Sequence, residues 1–317
     1  LVFGYWPVVT ASAETGAGVA EAEPANRKEL VTAIKEFQET LGLAPTGSFT
    51  RHSEDHAADY RCYYTGKLDL PDSYDGLKLK TGTKDGCPLD PEEYDIFFYP
   101  LEAVGTAEQP VTASLAKAST ERFLVVVPHE DFHHSLASPR LPPEFSEAAS
   151  TLLGFLTAAE LARQRFGEDS AVFQNLTRES ELFLRKAEIV NRYHASLSAL
   201  YARARSGELS EREALAEKEA RFRALKEDCI GVSPMPVSFS RCLGAANNAG
   251  LAFDRTYTKY YPGMFEIYLA YQRDLRLTVQ AVQYVLAADS VAEVLERLET
   301  LLGRASAQAE VAVPSAR

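Results

Sequence analysis

Apolar positions recur at helical spacing along most of the chain, and the region where they do not, 43–127, has a different character. Arg27–Leu41 carries Leu30, Ile34 and Phe37 on one face with Gly42 just beyond, which predicts an amphipathic helix. Residues 43–127 place Tyr, Thr, Gly, Asp and Pro between short apolar stretches such as Tyr94–Tyr99, the pattern of short strands joined by long loops. Phe123–Val127 reads either as a strand or as the first turns of a helix that follows. From Pro143 the helical period takes over, with predicted helices over 143–166 and about 170–205, then a turn at Ser206-Gly207. Ser210-x-x-Glu213 and Ser290-x-x-Glu293 are capping boxes that open two more helices, the last ending near Gly303.

The segment 170–228 repeats Phe173, Leu176, Phe183, Val190, Tyr193, Leu197 and Tyr201 at helical spacing. Its charged face is predicted to be solvated while the apolar one packs an antiparallel helical pair on the core. The fold class expected is α+β, predominantly helical. Its irregular β-containing part is 28–127 and its helical part 128–303, between an N-terminal arm over 1–27 and a flexible tail over 304–317.

Of the 317 residues, 46% are hydrophobic and 25% charged, an ordinary globular composition. The formal net charge of −12 argues against nucleic acid or an anionic membrane as the main partner. Leu1–Val9 is apolar and Ala11-Ser12-Ala13 follows it as a small-x-small site, which suits a signal segment. The expectation is export, to the periplasm or to a membrane anchor on its outer side, with no membrane-spanning helix. Cys62 with Cys87 and Cys229 with Cys242 form two local pairs without a Cys-x-x-Cys. They suit two disulfides in an exported protein, four buried thiols being the alternative. Oligomeric state is not specified by any of these features.

One stretch names a chemistry. His129-Glu130-Asp131-Phe132-His133 is a His-Glu-x-x-His motif, and two histidines four apart share a helix face about 5–6 Å apart. Both imidazoles can reach one zinc ion, with Glu130 beside the metal as the base for an attacking water. Pro128 either begins this helix or kinks it before the first ligand. Glu147, near the start of the next predicted helix, is the candidate third ligand. Glu144, one turn earlier in a Pro-rich stretch, is its competitor. His134 points about 100° away from the ligand face. His52 and His56 also lie four apart, in loop-like sequence that reads as surface rather than a second metal site.

Several segments together resemble a known family. They are Glu36-Phe37-x-x-x-Leu41-Gly42-Leu43 with Ser48–Arg51, and the metal motif with Phe145–Ser150. Toward the C-terminus come Asn247-Asn248-Ala249-x-Leu251, Tyr257–Tyr261, Pro262-x-x-Phe265 and Arg273-Asp274-Leu275. From about residue 28 to 285 the chain resembles bacterial zinc-dependent aminopeptidases, gluzincin-like enzymes that are exported or lipid-anchored. The resemblance implies one zinc ion held by His129, His133 and Glu147, with Glu130 as base and acid and a peptide as substrate. It implies Asn247, Asn248, Tyr257, Tyr260 and Tyr261 near that substrate, a phenol among them stabilising the oxyanion. Ser146 stands where the family has Asn, and the family's Tyr-Ser-Thr-Leu-Gly stretch is not recognisable between Tyr99 and Ala118. Two other readings make different demands. An endopeptidase or other amide hydrolase needs no pocket for a substrate ammonium. A non-catalytic metal-binding protein needs a fourth protein ligand, from His134, Glu144 or Asp131.

Overall fold

The structure is a computed structural model and describes residues 26–44, 46–55, 57–103, 108–136 and 140–311, with the side chains of 135, 136 and 304–311 left out. The apolar N-terminal arm therefore lies outside the described residues, as does His56.

The first helix, α1 (Arg27–Thr40), starts where the Asn26 side chain accepts from the Lys28 N–H, and it buries Leu30, Val31 and Ile34. Three antiparallel strands follow, β1 (Asp59–Gly66), β2 (Lys78–Thr81) and β3 (Tyr94–Leu101), in the order β2-β1-β3. Strand β3 alternates along its length and turns Asp95, Phe97, Tyr99 and Leu101 inward, the period-2 pattern of a half-buried strand. Cys62 sits opposite both Lys80 and Phe98 in the register and is bonded to Cys87, while Cys229 is bonded to Cys242.

The helical part begins with α2 (Ala113–Lys117) and α3 (Thr120–Leu136), and continues with α4 (Pro143–Phe166), α5 (Ala171–Arg205) and α6 (Glu211–Cys229). It closes with α7 (Asn248–Thr258), α8 (Tyr261–Ala270), α9 (Leu275–Leu286) and α10 (Val291–Val311). The architecture is thus predominantly helical α+β, and among the described residues no helix is long and apolar enough to cross a membrane. The pair α5 and α6 turns at Ser206-Gly207, where Gly207 has φ +80°, and Ser210 and Glu213 form the reciprocal box. Leu176, Phe183, Val190, Leu197 and Tyr201 are buried, with Phe173 and Tyr193 packed at the margin of the core.

The structure decides one alternative that the sequence leaves open and departs from the sequence reading at two further points. Phe123–Val127 is helical, because α3 starts at Thr120 and runs through Pro128. An interior proline costs about 3 kcal/mol, yet all five of those residues are fully buried, and each contributes roughly 1.5–3 kcal/mol of burial. Burial all round the helix also erases the amphipathic period that would have marked it. The last helix does not stop near Gly303 but continues to Val311. Glycine costs only about 1 kcal/mol inside a helix, too little to end one by itself. At that helix's start, Ser290 accepts from the Glu293 N–H, but the Glu293 carboxylate accepts from Asp289 rather than from Ser290.

Helix α4 lies against α3 at very close range. A Cβ on Gly154 would stand 3.1 Å from the Val125 carbonyl and 3.2 Å from the His129 Cβ. Glycine here lets the two helices approach until side chains from both can share one point.

Candidate metal centre

His129 and His133 project from one face of α3, and Glu147 from the first turns of α4. All three side chains are buried. Nε2 of His129 lies 3.1 Å from Nε2 of His133. Oε2 of Glu147 lies 3.4 Å from the first and 3.2 Å from the second. Tetrahedral ligands at about 2.0–2.1 Å from a zinc ion are separated by about 3.3 Å. The triangle has the dimensions of one face of that tetrahedron. Oε2 of Glu147 makes no aligned hydrogen bond despite this crowding, which is how ligand atoms stand when they face a common point. His129, His133 and Glu147 thus form a buried group that could hold a metal ion.

The electrostatics suit that role. Burial pushes His129 down to about 4, so its imidazole is neutral at pH 7 and keeps a lone pair for a metal. Burial alone would raise Glu147, but the two imidazoles beside it outweigh that and hold it below the usual carboxylate range. The Thr151 hydroxyl stands 3.5 Å from Nδ1 of His129, one turn beyond Glu147 on α4, and helps fix the ring's orientation.

Glu130 is fully buried and neither of its oxygens has a hydrogen-bond partner. Burial raises its pKa well above the usual range, and the charges of Glu147, Asp131 and Glu102 push it the same way. A carboxyl group so placed is ready to exchange a proton. The flanking acids are neutralised elsewhere. Asp131 accepts from Lys35 at 2.5 Å and from Thr46 and Ser48, while Glu102 accepts from Arg122. Lys35 and Asp131 also bind α1 to α3 beside the ligands.

The candidates for a fourth protein ligand are all engaged elsewhere or turned away. His134 is exposed, Asp131 is held by Lys35, and Glu144 faces Lys259 at 3.4 Å. His52 is exposed and makes an isolated bridge with Val111.

The C-terminal candidates divide. Tyr257 comes to the centre: its ring lies 6.4 Å from that of His129. Burial first, then the charges of Glu147, Tyr99, Tyr74 and Glu130, raise its pKa well above that of an ordinary phenol. The structure does not bring the others into polar contact with the triad. Asn247 caps α7 by accepting from Gly250 and donates to Ile96. Asn248 donates to Lys67 and Asp69 and accepts from Tyr201. Tyr260 stacks on Phe145 at 3.8 Å, and Tyr261 donates to the Ser180 carbonyl. Ser146 donates its hydroxyl to the Pro143 carbonyl in the first turn of α4.

Two tyrosines escaped the sequence reading. Tyr74, on a 3-10 turn over Tyr74–Gly76, donates its hydroxyl to Oε1 of Glu147 at 3.3 Å. Tyr99, on β3, is fully buried with an unpartnered hydroxyl, and the Glu130 charge acts on it. Neither belongs to a motif. Tyr74 sits in an irregular Ser-Tyr-Asp-Gly stretch and Tyr99 looks like any inward strand aromatic.

Residues 88–298, two thirds of the chain, match the sequence profile of a family described as Putative aminopeptidase. No curated protein and no solved structure matches the chain. The matched segment contains α3, α4 and α7, but begins downstream of Tyr74.

Proposed function

This chain belongs to that aminopeptidase family, and we propose that it is a zinc-dependent peptide hydrolase acting at free N-termini. The observation that carries the metal half of the reading is the triangle of His129 Nε2, His133 Nε2 and Glu147 Oε2, with edges of 3.1–3.4 Å. Family membership supports the peptidase half. The motif order, with Glu130 directly after the first ligand, favours the His-Glu-x-x-His type of hydrolase with a downstream Glu ligand.

A zinc ion bound there supplies Lewis-acid polarisation of the scissile carbonyl and lowers the pKa of water. The chain's own groups do the rest. Glu130, whose ionised form a dication held by the triad would favour, then takes the proton of the attacking water and passes it to the leaving amine, one carboxyl serving as base and then acid. Its lack of hydrogen bonds leaves both oxygens free for that transfer. The Tyr257 phenol, kept protonated by burial and by its anionic neighbours, is the donor offered to the developing oxyanion. Tyr63, Phe97 and Tyr99 pack around Phe253 of α7 at 4.7–5.3 Å and hold water away from that side. The two disulfides favour an oxidising, extracytoplasmic location, and the substrate is a peptide.

Metal analysis of the purified protein is the test. Stoichiometric zinc in the native chain, lost in Glu147→Ala, is expected. Glu130→Gln is expected to keep its zinc and lose about 10²–10⁴-fold in hydrolysis. A fully active Glu130→Gln enzyme rules out this mechanism. Comparing free with N-blocked peptides then separates exopeptidase from endopeptidase action.

A further inference from the structure

Glu147 offers its two oxygens to different partners. Oε2 faces both imidazoles, while Oε1 accepts the hydroxyl of Tyr74 at 3.3 Å. The geometry points to Tyr74 as the positioning residue that holds Glu147 to one-oxygen coordination of the metal. This rests on the metal reading above and goes beyond it. It assigns a role to a residue upstream of the family-matched segment.

A carboxylate can bind a divalent ion through one oxygen or both. A catalytic zinc site needs three protein donors and one open position for water. If Glu147 swung both oxygens onto the ion, that position would be crowded and the ion's Lewis acidity shared with a further donor. A phenol is protonated at neutral pH and presents one hydroxyl hydrogen. Directed at Oε1, that hydrogen keeps the oxygen off the metal and fixes the plane of the carboxylate.

Tyr74 is well anchored for this task. Its backbone N–H donates to the Thr256 hydroxyl on α7 at 2.9 Å, and its ring packs against Tyr63 and Phe253 at 6.2 and 5.9 Å. The turn beneath it is tight, since a Cβ on Gly76 would come within 2.7 Å of Pro71. The hydroxyl therefore reaches α4 from a turn fastened to α7 at Thr256, the residue before Tyr257.

The test compares native chain, Tyr74→Phe and Tyr63→Phe, each loaded with zinc for affinity and with Co(II) for its visible spectrum. Tyr63 is the control because its hydroxyl faces Arg61 at 3.4 Å rather than the ligand. Phenylalanine keeps the ring contacts at both positions, and melting of the metal-free variants checks the fold. Tyr74→Phe is expected to weaken zinc binding about 10–100-fold, the usual effect of removing a partner of a metal ligand. Its Co(II) bands are expected to lose intensity as coordination rises from four to five, with Tyr63→Phe unchanged in both. An unaltered Co(II) spectrum in Tyr74→Phe overturns the inference whatever the affinity does, and so does an equal change in Tyr63→Phe. A native chain that takes up no stoichiometric metal overturns the metal reading itself, and is distinguishable because it appears before any variant is made.

Discussion

Two buried polar clusters in this chain look alike by burial and composition and differ in how their atoms are satisfied. At the junction of sheet, α6 and α7, Asp95 accepts from Lys218 at 2.5 Å and from the Asn248 N–H at 2.8 Å. Lys218 also donates to the Lys67 carbonyl, and Asn248 bonds to Tyr201, Lys67 and Asp69. None of these side-chain atoms is left without a partner. At the His129–His133–Glu147 centre, both Glu130 oxygens, Oε2 of Glu147, Nδ1 of His133 and the Tyr99 hydroxyl have none. An unsatisfied buried polar atom costs about 1–3 kcal/mol. Five such atoms gathered at a group that could hold a metal ion distinguish the centre from the fully satisfied junction.

The contrast is sharpest in substitutions. Asp95→Ala should cost about 3–5 kcal/mol in denaturant unfolding, since it leaves the Lys218 ammonium buried and unpaired. Glu130→Gln, equally buried, should leave stability nearly unchanged, because it exchanges one unpartnered polar group for another of the same shape. A large loss of stability in Glu130→Gln breaks the distinction.

Acid should act chiefly on the centre. In the metal-free protein, His129 is held to about 4 by burial, against about 6.5 in the unfolded chain. Between those values the unfolded state binds the extra proton, so stability falls as the pH drops through this window, by roughly 3 kcal/mol in total. Glu147, whose folded pKa lies below its unfolded one, adds to the loss as pH falls further. Thermal melting across pH 4 to 7 of the metal-free chain measures this. A flat profile without metal contradicts a neutral buried His129.

The smallest effect probes the frame that sets the distances. Gly154→Ala forces α4 away from Val125 and His129 by a few tenths of an ångström. It should cost about 1–3 kcal/mol as overpacking and weaken zinc binding by moving Glu147 off the imidazoles. An equivalent substitution at Gly303, where a Cβ meets nothing within 4 Å, should do neither.

Much of this was legible along the chain. The helices over 143–166 and 170–205, the turn between α5 and α6 and the Ser210 box follow from local periodicity and capping, which depend on neighbours a few residues away. His129, Glu130 and His133 were legible for the same reason, since i,i+4 spacing on a helix is a local fact. Glu147 was legible as the better of two acids only because it falls inside a predicted helix. The start of α3 was not legible, because a helix buried on every side has no polar face to set its period. Asn247 and Asn248, which the resemblance places near a substrate, hydrogen-bond with Ile96, Lys67, Asp69 and Tyr201. An amide has the same donors and acceptors for either use.

By itself the amino-acid sequence determined the helical plan, the imidazole pair and the carboxylate between them, because all three are written in spacings shorter than two helical turns. Only the tertiary structure decided that Oε2 of Glu147 completes the triangle, that Tyr74 reaches its other oxygen from 73 residues away, and that Tyr257 rather than Tyr260 or Tyr261 faces the centre. Those outcomes depend on how closely α3 and α4 approach at Gly154 and on where a turn is tied to α7. Packing sets such distances, and no local pattern encodes them.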